Sequence, residues 1–126
     1  MKQGAFSLVE LLIVISLIGI LAGLSYPVYT RHIAHVNQHR ATLILLEAAN
    51  ELEEQHSLFG TYKNTSVQAL LAQSNQQLPY QFDLSVNDNR FMLKAIPNEA
   101  QESLNQCGIL WLNSTETTSV TCQGAK

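Results

Sequence analysis

Charge is scarce in this chain. Only 13% of its 126 residues are charged, and none of the twenty from Leu11 to Thr30 is. Basic residues number seven, and the formal net charge is −3. That scarcity disfavours a general nucleic-acid surface, which needs clustered cations. Catalytic signatures are also missing. There is no Gly-x-Ser-x-Gly, no phosphate-binding loop and no His-Glu-x-x-His, so no catalytic residues, no enzyme and no cofactor are expected. The two cysteines, Cys107 and Cys122, have no nearby His to complete a tetrahedral site, so no metal is expected there. Internal repeats and low-complexity tracts are absent.

What the chain does have is concentrated at its start. Glu10 stands at the entry to the uncharged run. Twenty helical residues span about 30 Å, the thickness of a bilayer core. An acid near the middle of a bilayer costs roughly 2.5–3.5 kcal/mol on insertion scales, so a retained one calls for a partner. A cleaved secretory signal has a shorter apolar region and no acid at its basic end. A plain single-pass anchor accounts for the length but gives Glu10 no role.

The residues Gly4-Ala5-Phe6-Ser7-Leu8-Val9-Glu10-Leu11-Leu12-Ile13 resemble the class III signal of type IV pilins and the related pseudopilins. The resemblance implies a short leader, residues 1–5, removed on the cytoplasmic side by prepilin peptidase. It also implies methylation of the new N-terminal amine. The family places Gly directly before the Phe, and here that position is Ala5. Cleavage between Ala5 and Phe6 makes Glu10 the fifth mature residue, Gly19 the fourteenth and Pro27 the twenty-second, all family positions. Cleavage between Gly4 and Ala5 is the alternative. Phe6 is therefore the expected N-methylated residue. Glu10 is expected to pair with the amine of a neighbouring subunit and so set assembly register, since opposite charges offset each other's desolvation in a low-dielectric setting.

Gly19 and Gly23 form a small-residue pair suited to close helix packing. Pro27 removes a backbone donor and should bend or loosen the helix; the resemblance implies a kink by local unwinding between Gly19 and Pro27. Residues 6–30 are expected to form the membrane and filament-core helix, and residues 31–60 its outer half. Leu45, Ala48, Ala49 and Leu52 fall on one stripe at helical spacing, and Gly60 suits a left-handed stop. His32, His35 and His39 share a face; imidazoles at that spacing can share an ion, but no Cys, Asp or Glu stands close by to complete a site, so no metal is expected and they are read as a polar surface with Arg31 and Arg40.

Residues 61–126 read as the head. A polar loop runs from Thr61 to Pro79, with a short helix over Ser66–Gln73. Alternation over Tyr80–Val86, a turn at Asn87-Asp88-Asn89 and a return strand over Phe91–Ile96 predict a hairpin. Gly108–Asn113 and Thr118–Cys122 read as two further strands, with Trp111 taken as core. The fold class is thus α+β: a long N-terminal helix, its first half membrane-spanning, packed against a four-stranded antiparallel sheet, as in the pilin fold. A membrane anchor makes export plausible, so a disulfide is the leading reading for Cys107 and Cys122, with free thiols the alternative. Tyr62, Leu78-Pro79-Tyr80, Cys107-Gly108 and Cys122 resemble the PilE-like minor pilins.

The resemblance implies a minor type IV pilin that primes assembly or modifies the fibre in motility and adhesion. Its implied partners are other pilin subunits, prepilin peptidase, the inner-membrane assembly machinery and the membrane. Its implied location is the inner membrane, N-terminus cytoplasmic and head periplasmic, then the extracellular filament. Two alternatives are a DNA-binding competence pilin and a type II secretion pseudopilin. DNA is the less favoured partner, because Arg31, Arg40, Lys63, Arg90, Lys94 and Lys126 are the mature cations and only Arg90 and Lys94 lie close together. Mass spectrometry of the mature N-terminus tests the register. Methylated Phe6 is the expected product, and methylated Ala5 would move the cut by one residue.

Overall fold

The computed structural model describes residues 5–63, 65–87, 89–104, 107–115 and 119–123. Gly4, Asp88, Thr118 and Lys126, each part of an expectation above, lie outside the described residues. The elements run α1 (Leu8–Phe59), α2 (Thr65–Gln77), β1 (Tyr80–Asn87), β2 (Arg90–Pro97), α3 (Glu99–Leu104), β3 (Ile109–Asn113) and β4 (Thr121–Gln123). Two compact units divide the chain, Met1–Ile33 and Ala34–Lys126.

In the first unit every described residue through Tyr29 is exposed. An isolated helix with apolar side chains on all faces is stable where lipid or other helices cover it. The helix is long and apolar enough to cross a membrane.

The second unit begins where the pattern becomes one-sided. Ala34, Ala41, Leu45, Ala48, Ala49 and Leu52 are the buried positions of α1. They recur at steps of three, four and seven, the spacing of one helix face. Four of the six are alanine, which lets the helix approach the sheet closely. The sheet is antiparallel in the order β1-β2-β3-β4. Its inner face presents Phe82, Leu93, Ala95, Leu110 and Leu112 to α1, with Phe91, Tyr62, Val67 and Leu71 completing the same cluster.

Gly60 ends α1 as its position predicts. Its φ is +72°, and its N–H donates to the His56 carbonyl at 2.8 Å. That pairing closes the helix with a left-handed residue. Just beyond it, Tyr62 stacks on His56 and meets Phe91 edge-on. Burial first, then the charge and hydrogen bonding of Glu53, hold the Tyr62 phenol above its ordinary pKa. The neutral phenol is the form this packing favours.

The head differs from expectation in four places. The strand expected over Thr118–Cys122 is β4, Thr121–Gln123, and Ser119 and Val120 lie outside it. The helix expected over Ser66–Gln73 runs from Thr65 to Gln77 and fills much of the predicted loop. The third helix, α3, was not anticipated. Asn98 caps it: its side-chain oxygen accepts from the Gln101 N–H at 2.9 Å, and its carbonyl accepts from the Glu102 N–H. Trp111 is not core. Leu110 and Leu112 point inward, so the alternation of β3 places half-buried Trp111 on the outer face.

Buried polar groups are satisfied. The Gln101 amide donates to the Ala34 carbonyl at 2.6 Å and to the Tyr80 hydroxyl at 3.3 Å. Along the free edge of β1, the Phe82 N–H donates to the Asn75 side chain of α2 at 2.7 Å. Cys107 and Cys122 are joined in a disulfide, Cα–Cα 5.7 Å, which ties β4 to the approach of β3. Closing a fifteen-residue separation stabilises by about 3 kcal/mol on the chain-entropy account.

A Cβ added at Gly60 would meet nothing within 4 Å. The cost of Gly60→Ala is therefore conformational, about 1–2 kcal/mol. Denaturant unfolding should show that loss, with Gly60→Asn closer to wild type because Asn tolerates the left-handed region.

Candidate functional site

Two regions carry the residues that matter: the head of α1 and the outer face of the sheet. At the first, Ala5, Phe6 and Ser7 precede the helix and are exposed, Phe6 at 80%. Ser7 is the N-cap. The Leu11 N–H donates to the Ser7 carbonyl at 3.1 Å, the first helical bond. The Glu10 N–H donates to the Ser7 hydroxyl at 3.2 Å, and the Ser7 N–H donates to a Glu10 carboxylate oxygen at 3.3 Å. This reciprocal pair is a capping box, two otherwise unpaired donors satisfied by Ser and Glu three residues apart.

The box gives Glu10 a local role that the membrane-cost argument missed. The signal was present as Ser7-Leu8-Val9-Glu10. A carboxylate in the first turn also complements the positive end of the helix dipole. Both candidate cuts fall before Ser7, so either leaves the box intact. The carboxylate thus contacts the amide of the residue directly after Phe6, one position from the amine that cleavage after Ala5 would create.

Farther along, Cβ atoms at Gly19 or Gly23 would meet nothing within 4 Å, so both present open, small surfaces. The helix runs unbroken through Pro27. Having no N–H, Pro27 cannot bond the Gly23 carbonyl. Hydroxyls supply extra bonds nearby: Ser16 to the Leu12 carbonyl, Ser25 to the Leu21 carbonyl and Thr30 to the Pro27 carbonyl, at 2.7 to 3.0 Å.

On the outer sheet face, register sets Asp83, Lys94, Trp111 and Thr121 in one row across all four strands. The next row holds Ser85, Met92 and Asn113. Arg90 is exposed at the hairpin end and shares the face of Met92 and Lys94, since strand side chains alternate. Beside it lies a shallow hollow of about 290 Å³, lined by Ser85, Asn87, Arg90, Met92, Asn113 and Thr115 among others. The sheet thus brings Arg90, Lys94 and Trp111 to one surface, while Lys63 precedes α2 and Arg40 lies on α1.

Residues 1–26 match the prokaryotic N-terminal methylation motif. Residues 27–111 match the family described as type IV minor pilin ComP, DNA uptake sequence receptor. The chain belongs to that family. It is a type IV minor pilin, and the pilins of this family are structural subunits. No match was found among curated proteins or among solved structures. The pilin match covers the outer half of α1, α2 and the sheet through Trp111. The methylation motif and the apolar helix fit membrane anchoring.

Ser7→Ala removes the cap while leaving every other contact of the pilin head in place. It should cost about 1 kcal/mol at the helix start, about a fivefold faster exchange of the first-turn amides. Hydrogen exchange of the chain in detergent micelles measures this.

Proposed function

We propose that this pilin is a subunit of the type IV pilus that serves as a DNA receptor on the fibre. The observation that carries the reading is the family match over residues 27–111, whose description names a DNA uptake sequence receptor. In this reading prepilin peptidase cuts between Ala5 and Phe6 and methylates Phe6. The pilus assembly machinery of the inner membrane then draws the helix from the bilayer into the filament. Glu10 attracts the amine of a neighbouring subunit, and its hold on the Ser7 amide presents the carboxylate at the helix head in a fixed place. Gly19 and Pro27 give that helix its point of bending.

Counting cations made DNA the lesser expectation. The sheet register supports it more than the count does. Arg90 and Lys94 stand on one face with an aromatic ring, Trp111, in register with Lys94. The hollow beside Arg90 adds amide and hydroxyl groups suited to phosphate and base edges. With a net charge of −3, long-range steering toward DNA is weak, and recognition rests on contact. Priming of assembly or modification of the fibre in motility and adhesion is compatible with the same placement. The secretion pseudopilin alternative shares the methylation motif but draws no support from the match over residues 27–111.

Two experiments separate anchor from head. Glu10→Gln keeps a capping side chain but removes the charge, so it should leave the chain in the membrane and strongly reduce its incorporation into pili. Normal incorporation would sink the charge-pairing account. For the head, the full chain in micelles should bind double-stranded DNA with a shallow salt dependence, a log–log slope of about −2 for two phosphate contacts. Replacing both Arg90 and Lys94 by alanine should flatten that slope; an unchanged slope places the DNA surface elsewhere.

A further inference from the structure

His35 and His39 lie four residues apart on α1, within the second unit, and both are exposed. Their Nε2 atoms approach to 3.2 Å, with ring centroids 4.6 Å apart and ring planes at 87°. One ring donates its N–H to the lone pair of the other. Two nitrogens bound to one ion at 2.0–2.1 Å stand about 2.9–3.4 Å apart, from square to tetrahedral geometry. The observed separation falls inside that range. The two nitrogens therefore already stand at the separation of a chelate, and a cation would take the place of the hydrogen-bonded proton, which passes by way of solvent to the other nitrogen of its own ring.

We propose that His35 and His39 form a bidentate site for a late first-row divalent cation, zinc, nickel or copper. Imidazole is a ligand these ions favour, and Mg²⁺ or Ca²⁺ would be taken poorly because they prefer oxygen. Water completes the coordination in the isolated chain. The hydrogen bond it displaces is exposed, hence weak. The bite exists only while residues 35–39 are helical, because side chains four apart meet only on a helix. Binding is thus linked to the helical state of this turn, and the ion stabilises it by mass action. Cys107 and Cys122 cannot compete for the ion while they are joined.

The test uses the untagged full chain in detergent micelles without reductant, titrated with zinc chloride or nickel chloride alone. One ion should bind per chain, saturably, and raise the thermal midpoint. His35→Ala and His39→Ala should each abolish both effects, since a chelate needs both rings. His32→Ala, which leaves the pair whole, should retain them. Circular dichroism verifies that the substituted chains remain folded, as expected for exposed positions. Absence of saturable binding, binding that survives either substitution, or loss of binding in His32→Ala would overturn the assignment.

Discussion

One helix must satisfy two solvents, and the rest of the structure follows from how its sequence divides that task. Through Tyr29 every described side chain is exposed and most are apolar, so that stretch calls for lipid or neighbouring helices around it. From Ala34 onward only one face is buried, and that face is narrow and built mainly of alanine. The sheet can therefore come close enough to cover it with Leu93, Leu110 and Leu112. A bulkier stripe would hold the sheet away and leave gaps, which a close-packed interior does not tolerate. The apolar anchor and the packed head both depend on this division.

The second unit is held by groups that fasten its margins as much as by its centre. Gln101 reaches from α3 to the backbone of α1 at Ala34, the first residue of the unit. Gly60 closes the same helix at its other end, and the stack of His56, Tyr62 and Phe91 connects that end to β2. The disulfide secures a last strand of only three residues, too short to stay paired on backbone bonds alone. Small heads need such fasteners, because their cores are marginal.

Periodicity made much of this legible before any coordinates. The stripe at Leu45, Ala48, Ala49 and Leu52, the stop at Gly60 and the hairpin over residues 80–97 follow from spacing and turn chemistry alone. What escaped has physical reasons. Six residues of α3 are too few to show a period, and their helix depends on the Asn98 cap and a buried glutamine. Trp111 looked like core because apolar residues surround it, but a strand alternates whatever its hydrophobicity, and two leucines had already claimed the inner face. The capping box at Ser7 and Glu10 was readable, yet the cost of an acid at a membrane drew attention to distant partners and away from a hydroxyl three residues earlier. The outer surface was the least legible part. Only the strand register brings Arg90, Lys94 and Trp111 to one face, and register across non-neighbouring segments is a property of the folded sheet.

The bond from Asn75 to the Phe82 amide is small, but it sits on the edge strand of the sheet, beside α2. An uncovered margin is a template on which another strand can add. Asn75 occupies one of the donors on that margin with a side chain of the same head, so one fewer backbone group is left for an added strand to pair with.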